Sequence, residues 1–255
     1  PISRTSSRCS TAAEDKQSIR KGKSGTMCRS FASFKDARKA GYERNVHMSY
    51  HEEGMLPTGF YCSDRRPNIF LIGDSIRMGY CTFAKEALGE SAEVFWVEDN
   101  CRNTQYVISC LNGWKNMFDR PEKVDLVQFN CGHWDIAHWN RYPVPLTSEA
   151  EYEKNLEMIL FLIRELFPNA KIVMATTTPM NLGDDGGVNP RSNTEIARYN
   201  KIVLQVAKKN GIPVNDLAAF TRDWGVEAFA DYCHFTPESN KALGIEVAEQ
   251  LKKYL

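Results

Sequence analysis

The sequence predicts an α/β fold in which a five-stranded parallel sheet lies between two layers of helices. From residue 68 onward, short apolar segments alternate with longer segments whose apolar residues recur at helical spacing. Strands that alternate with helices are joined by right-handed crossovers, which makes the sheet parallel and covers both of its faces. The chain of 255 residues is long enough for one such domain with an extension. We therefore predict a three-layer α/β/α domain over residues 67–255.

The five predicted strands are short, mostly apolar and rich in β-branched residues. This composition is typical of strands that are buried on both faces of a parallel sheet. The first of them runs directly into a Gly-Asp-Ser turn at residues 73–75. The predicted strands span residues 68–72, 93–97, 124–130, 171–176 and 213–215.

The helical segments between the strands carry local start signals. Ser148 with Glu151 and Ser192 with Glu195 have the spacing of a capping box, in which the hydroxyl and the carboxylate each pair with a backbone N–H. Thr236 precedes a proline at the first helical position, where a backbone N–H has no helical partner in any case. The predicted helices span residues 77–88, 104–118, 149–167, 193–210 and 237–255.

Residues 1–66 are predicted to form a basic N-terminal arm. They hold 13 basic and 7 acidic side chains, although the whole chain balances 32 of each. Because the acids are interleaved and no block of Lys and Arg occurs, we expect a partly disordered arm rather than a nucleic-acid partner. Aromatic and apolar residues from residue 48 onward predict that the distal part of the arm packs against the domain.

The sequence contains no sign of a membrane span or a metal site. No apolar run approaches the roughly 18 residues that a span requires. The chain begins at Pro1 rather than Met, so an already removed leader is compatible with it, and cytoplasmic and secreted locations both stay open. The 8 cysteines show no CxxC or zinc-binding spacing, and we expect no metal. Disulfides and buried free thiols both stay open, as does the oligomeric state.

The turn Gly73-Asp74-Ser75 is the first candidate for chemistry. Ser75 should lie at the carboxyl end of the first strand, where open α/β sheets bind ligands. The amino end of the following helix offers free backbone N–H groups to a developing negative charge. Two interpretations stay open from these residues alone: Ser75 is a nucleophile, or Ser75 caps the helix.

The segment Asp231-Tyr232-Cys233-His234, just before the last helix, supplies what a serine nucleophile lacks. Histidine, with an ordinary pKa of about 6.5, can take the serine proton at neutral pH and return it. Asp231 can hold the other ring nitrogen and fix the tautomer. The same spacing recurs at Asp135 and His138, which makes His138 a rival base. The position of His234 before the last helix favours His234.

These two motifs together resemble the SGNH or GDSL hydrolases, which are serine esterases with a Gly-Asp-Ser block near the start and an Asp-x-x-His block near the end. The resemblance covers residues 67–255 in element order and implies a flavodoxin-like sheet. It implies that Ser75 is the nucleophile, His234 the general base and Asp231 the residue that orients the base. It also implies that no metal or organic cofactor takes part.

The two middle blocks of the family match this sequence less well. The family usually has a glycine after the second strand, whose amide serves the oxyanion hole, but residues 99–104 contain none. The backbone N–H of Arg102 or Asn103 is the expected substitute. In the third block, residues 132–135, Trp134 stands where the family has an asparagine donor. Either the indole N–H of Trp134 donates instead, or Trp134 fills the core and Asn130 or water donates.

The resemblance implies a serine esterase that hydrolyses a small acyl ester, with acetyl as the expected acyl group. The expected partner is a small-molecule ester or an esterified carbohydrate. The rings of Trp139 and Tyr142, on the loop after the third strand, could stack on a sugar or simply pack. Two alternatives stay open, because fold does not decide function: a catalytically lapsed binding module, and an acyltransferase.

Overall fold

A computed structural model of the protein describes residues 59–181 and 186–255. Within them the five predicted strands are confirmed as one sheet in which every neighbouring pair is parallel. The strands are β1 (Asn68–Gly73), β2 (Glu93–Trp96), β3 (Val124–Asn130), β4 (Lys171–Ala175) and β5 (Val214–Asn215). Their order is β2-β1-β3-β4-β5, which is the flavodoxin-like order.

The described residues contain seven α-helices, five of which the sequence predicts. The other two are four-residue helices, too short to show a helical period in sequence. The helices are α1 (Ser75–Leu88), α2 (Thr104–Lys115), α3 (His133–Ile136), α4 (Glu149–Leu166), α5 (Asn193–Asn210), α6 (Leu217–Phe220) and α7 (Pro237–Lys252).

The start signals in the sequence cap these helices as predicted. The Ser148 hydroxyl accepts a hydrogen bond from the Glu151 N–H at 3.3 Å, and the Glu151 carboxylate accepts one from the Ser148 N–H at 3.2 Å. Ser192 and Glu195 form the second capping box at the start of α5. Thr236 caps α7. Each cap satisfies donors that the first helical turn leaves free.

Both faces of the sheet are buried under helices. Alternate side chains of β1 point to opposite faces and therefore pack in different hydrophobic clusters. Phe70 and Ile72 pack in the hydrophobic cluster that includes residues of α2, α4 and α5. Ile69 and Leu71 pack in the second cluster, with residues of α1 and α7. All four side chains are fully buried, which explains why residues 69–72 of the first strand are all apolar.

A close contact between α1 and α7 depends on Gly244. A Cβ atom at this position would lie 2.6 Å from Phe83 Cβ and 2.8 Å from the Tyr80 carbonyl oxygen. We expect Gly244→Ala to lower the free energy of unfolding by about 1–3 kcal/mol through overpacking, as measured by chemical denaturation.

The matched control is Gly113→Ala in α2, where a Cβ would meet nothing within 4 Å. There the exchange should raise the free energy of unfolding by about 0.5–1 kcal/mol, because alanine loses less backbone entropy on folding. Equal effects of the two variants would contradict the packing argument.

The predicted arm of residues 1–66 lies outside the described residues as far as residue 58. Of the remainder, Phe60 forms a parallel bridge with Phe118, and the two ring centroids lie 4.9 Å apart. Cys62 is buried nearby. A division of the chain at residue 66 stays a prediction.

The six cysteines within the described residues carry free thiols. In this part of the chain, no helix combines the length and the apolar composition that crossing a bilayer requires.

Candidate active site

Ser75, His234 and Asp231 meet at the carboxyl edge of the sheet. Ser75 follows β1 as the first residue of α1, and His234 lies on the loop that leads to α7. His234 Nε2 lies 2.7 Å from Ser75 Oγ, although 159 residues separate them in sequence. His234 Nδ1 lies 2.7 Å from Asp231 Oδ2. This is the geometry of a nucleophile, its base and the carboxylate that orients the base.

The loop around Asp231 is held by the carboxylate itself. Asp231 Oδ1 accepts hydrogen bonds from the N–H of Cys233 at 2.9 Å and of His234 at 2.8 Å, which leaves Oδ2 for the imidazole. Partial burial would raise the pKa of Asp231, but these backbone hydrogen bonds and the imidazole outweigh it and hold the pKa below its ordinary value. Asp231 is therefore ionised at neutral pH and can stabilise an imidazolium.

Asp74, rather than Ser75, is the cap of α1. Asp74 Oδ1 accepts a hydrogen bond from the Ile76 N–H at 3.0 Å, so the Ser75 hydroxyl is not used as a cap. Burial raises the pKa of Asp74 to about 6. The helix consequently begins two residues earlier than the sequence predicts, and Ser75 Oγ is free to face His234.

Arg77 ties the end of β1 to the loop after β2. Its buried guanidinium donates hydrogen bonds to the carbonyl oxygens of Gly73 and Asp99. A Cβ at Gly73 would lie 2.6 Å from Arg77 Cβ, so the turn requires glycine. The hydrogen bonds of Arg77 hold the loop after β2, residues 99–104, beside Ser75.

The rival pair, Asp135 and His138, does not form a dyad. The buried Asp135 carboxylate accepts hydrogen bonds from the N–H of Thr104 at 3.1 Å and from its hydroxyl at 2.6 Å. His138 Nε2 lies 2.8 Å from Glu195, and its Nδ1 lies 2.9 Å from the Tyr142 carbonyl oxygen. The two side chains that share the spacing of Asp231 and His234 thus have different partners.

In the loop after β2, the backbone N–H groups of Arg102 and Asn103 are the two predicted oxyanion donors. Arg102 adopts a left-handed conformation with φ 50°, and its N–H donates to Asn100 Oδ1 at 2.9 Å. That N–H is already paired, which argues against an oxyanion role for Arg102. Asn103 caps α2 by accepting a hydrogen bond from the Tyr106 N–H at 2.9 Å. An oxyanion role for the Asn103 N–H stays a prediction.

A pocket of about 180 Å³ opens beside Ser75 and His234. Trp134 lines this pocket, whereas Asn130, Arg102 and Asn103 are not among its lining residues. Asn130 lies opposite Gly73 in the register of β1 and β3, with its Oδ1 buried and without a hydrogen-bond partner. The residues that line the pocket are Ser75, Asn100, Trp134, Trp139, Asn189, Arg191, Tyr232, Cys233 and His234.

Asn100 and Arg191 are pocket residues that the sequence reasoning did not identify. Asn100 lies within the second block of the family, so its place in the chain was a usable signal. Arg191 follows Asn189-Pro190 on the loop before α5 and belongs to no motif with a recognisable spacing.

We expect Trp134→Phe to lower kcat by about 10²-fold with little change in KM, if the indole N–H serves the oxyanion. Phenylalanine keeps the ring packing against Trp139, whose ring centroid lies 5.2 Å away, and removes only the donor and some volume. Steady-state kinetics on phenyl acetate measure the effect. An unchanged kcat would assign Trp134 to packing alone.

Asp231, Cys233 and His234 also have ligand atoms that all lie within 4.8 Å of one another. Two of these groups are hydrogen-bonded to each other. Burial raises the pKa of the Cys233 thiol to about 12, which disfavours the thiolate that a metal requires. The group therefore fits a proton-transfer site better than a metal site.

The flavodoxin-like sheet with a hydrogen-bonded Ser-His-Asp group at its carboxyl edge is the arrangement that the resemblance to the SGNH or GDSL hydrolases implies. A model of the GDSL-like lipase/acylhydrolase family matches residues 71–242, and the chain belongs to this family. The resemblance given by the two end motifs is thereby confirmed.

Solved structures with this fold include several esterases. The lipase/acylhydrolase of Enterococcus faecalis has a TM-score of 0.58 at 24% identity, over 73% of this chain and 96% of its own. An acetyl xylan esterase has a TM-score of 0.57 at 17% identity, over 72% and 99% of the two chains. The aryl esterase of M. smegmatis has a TM-score of 0.56 at 17% identity, over 74% and 100%. At these identities the likeness concerns the fold.

Two curated proteins also resemble the chain in sequence. A GDSL esterase/lipase of Arabidopsis thaliana is 27% identical over 115 residues, which are 40% of this chain and 48% of the relative. An uncharacterised protein of Mycoplasma pneumoniae is 25% identical over 206 residues, or 70% of this chain and 23% of the relative. The chain thus spans about half or less of the length of these relatives.

Proposed function

We propose that this protein is a carboxylic ester hydrolase that forms an acyl-enzyme on Ser75 and acts on a small acyl group, with acetyl as the expected case. The single observation that carries the proposal is the continuous hydrogen-bonded chain from Ser75 Oγ through the His234 ring to Asp231. A serine hydroxyl is a weak nucleophile unless a base is within reach, and here the base is within 2.7 Å.

In the acylation step, Ser75 Oγ attacks the ester carbonyl carbon while its proton passes to His234 Nε2. Ionised Asp231 stabilises the imidazolium through Nδ1–H. The tetrahedral intermediate then collapses, the bond from carbon to the alcohol oxygen breaks, and the His234 proton passes to the leaving alcohol. The Ser75 N–H lies in the first turn of α1 and is therefore a donor for the oxyanion.

In the deacylation step, water takes the place of the alcohol. His234 accepts a proton from the water, whose oxygen attacks the acyl carbon, and then returns that proton to Ser75 Oγ as the acid leaves. These steps use only side chains of this chain and a water molecule.

The dimensions of the pocket support a small acyl group. Its volume of about 180 Å³ is well below the roughly 300–1,000 Å³ of sites that enclose drug-sized ligands. The rings of Trp134 and Trp139 occupy one part of the lining. The family includes enzymes for longer acyl chains, and the narrow lining here favours acetyl over them. Because one of the fold neighbours is an acetyl xylan esterase, an acetylated carbohydrate is a reasonable first substrate.

A fluorophosphonate probe tests the proposed nucleophile. The probe should label the folded protein, and peptide mass spectrometry should locate the label on Ser75 alone. A folded protein that takes up no label would instead support a lapsed binding module.

A panel of phenyl esters from acetate to octanoate tests the acyl size. We expect kcat/KM to fall steadily as the chain lengthens, since the pocket lacks volume for it. The same reactions with and without a sugar acceptor separate hydrolysis from acyl transfer, because transfer yields an acylated sugar in place of free acid.

A further inference from the structure

Arg191 places a buried positive charge in the active-site pocket. Arg191 is only 9% exposed and lines the pocket together with Ser75 and His234. Its Nε is buried without a hydrogen-bond partner, and Nη2 makes one long hydrogen bond, of 3.4 Å, to the Asn189 carbonyl oxygen. Within residues 59–181 and 186–255, no carboxylate forms an ion pair with it.

An arginine without a counterion is costly to bury, because the guanidinium loses its hydration and gains no attraction in return. Neither Asp231 nor Asp74 forms an ion pair with Arg191. Asp231 is bound to His234 and to two backbone N–H groups. Asp74 caps α1 through Oδ1, and the charge of Arg191 acts on it only at longer range, lowering a pKa that burial raises. The charge also acts on its surroundings, since burial and then the positive charge of Arg191 lower the pKa of the buried His133 to about 3. What would offset the charge is an anion in the pocket.

Trp139 provides a second unpaired donor in the same pocket. Its indole Nε1 is buried without a hydrogen-bond partner, and the residue lines the pocket. Indole and guanidinium nitrogens are donors only, so neither can satisfy the other. Two residues that line this small pocket thus carry a buried donor that has no acceptor in the described part of the chain.

The guanidinium is also held in place for a ligand. It lies 5.3 Å from the centroid of the Tyr232 ring, in a cation–π contact that orients its plane. Arginine in a fixed orientation suits a planar or tetrahedral oxyanion, to which it can donate two parallel hydrogen bonds.

We infer that the pocket selects esters that carry a compact oxyanion, a carboxylate or a phosphate, close to the scissile bond, and that Arg191 and the Trp139 indole N–H bind this group. The inference rests on the proposed function, because the anion is part of the substrate that Ser75 attacks. It goes beyond that function by naming the charge of the substrate and the residues that bind the charged group.

The test uses pairs of esters that differ only in charge. Acetylated galacturonic acid is compared with its methyl ester, and acetylated glucose 6-phosphate with acetylated glucose, by release of acetate. A third pair, phenyl hydrogen succinate and phenyl methyl succinate, places the charge on the acyl side and is followed by release of phenol. The three pairs distinguish carboxylate from phosphate and the alcohol side from the acyl side.

We expect the wild-type kcat/KM to favour the anionic member of at least one pair by about 10–100-fold, in the range that charge-assisted hydrogen bonds supply. Arg191→Gln should remove this preference, because kcat/KM for the anionic member should fall at least about tenfold more than kcat/KM for the neutral member. Arg191→Lys should keep part of the preference, and Trp139→Phe should reduce it by a smaller factor. Arg222→Gln, an exposed arginine outside this pocket, is the matched control and should change nothing.

Two results would overturn the inference. The first is a wild-type enzyme that shows no preference in any of the three pairs. The second is an equal loss for charged and neutral esters in Arg191→Gln, which would make Arg191 a stabiliser of the oxyanion of every ester. A thermal melting curve like that of the wild-type protein shows that a variant is folded.

Failure of the proposed function is recognised separately. Calorimetry on Ser75→Ala with acetylated galacturonic acid and its methyl ester measures recognition of the charge without any turnover. Fluorophosphonate labelling of the wild-type protein and of Arg191→Gln reports on Ser75 without any anion. Selective binding of the anionic ester without labelling of Ser75 would support the anion site and reject the esterase. Labelling of Ser75 without selective binding would support the esterase and reject the anion site.

Discussion

Ser75→Ala should lower kcat/KM on phenyl acetate by about 10⁴–10⁶-fold, because it removes the atom that attacks the ester carbonyl carbon in the proposed acylation step. Losses of this size follow when a serine nucleophile is removed, and the remaining activity comes from substrate binding and the oxyanion donors. The fold should be unaffected, since Asp74 supplies the cap of α1. Initial rates and thermal melting of the same preparation measure the two quantities.

Ser109→Ala is the control for Ser75→Ala. Ser109 is an exposed helical serine whose hydroxyl contacts the Tyr106 carbonyl oxygen and Cys110 Sγ, both close to it in sequence. Its replacement should leave both the rate and the melting temperature within experimental error. A Ser75→Ala protein that retained a tenth or more of wild-type activity would reject Ser75 as the nucleophile.

His234→Ala and Asp231→Asn should each reduce kcat by about 10⁴-fold or more. Alanine removes the base that lies 2.7 Å from Ser75 Oγ. Asparagine preserves the shape of the loop but can donate an N–H toward His234 Nδ1, which stabilises the wrong tautomer and cannot balance an imidazolium. Single-turnover and steady-state kinetics at several pH values measure these losses.

His138→Ala is the comparison for the two variants of the dyad. His138 pairs with Glu195, so we expect activity within a few-fold of wild type and a lower melting temperature. Burial would lower the pKa of His138, but hydrogen bonds to Glu195 and Tyr142 raise it overall. The pair therefore stabilises the fold most at pH values below about 6.5 at which Glu195, whose pKa is lowered, is still ionised. The stabilisation decreases as pH rises through the raised folded-state pKa of His138, and also as pH falls through the pKa of Glu195. Full activity in His234→Ala with loss in His138→Ala would reverse the assignment of the base.

The strands, the five long helices and the two end motifs of the site, residues 73–75 and 231–234, could be predicted from the sequence because they depend on local rules. Apolar periodicity decides which segments pair into a buried sheet, and a cap needs only a side chain three residues from its partner. Ser75 and the Asp231-His234 pair were identifiable for the same reason, because each lies at the end of an element whose place in the sheet follows from element order.

The lining of the pocket could not be predicted in this way. Asn100, Trp139 and Arg191 come from three loops that only the packed sheet brings together, and no spacing in the sequence relates them. Asp135 and His138 illustrate the same limit, since their spacing matches that of Asp231 and His234 while their partners are Thr104 and Glu195.

Local sequence thus determined the α/β class, the element order and the candidate nucleophile with its candidate base. Tertiary packing alone decided which of two identical spacings forms a hydrogen-bonded pair and which backbone N–H near Ser75 is already paired. It also decided where an arginine is buried without a counterion among residues 59–181 and 186–255. The physical reason is that burial, and with it the availability of a donor or a charge, depends on neighbours that are distant in the chain.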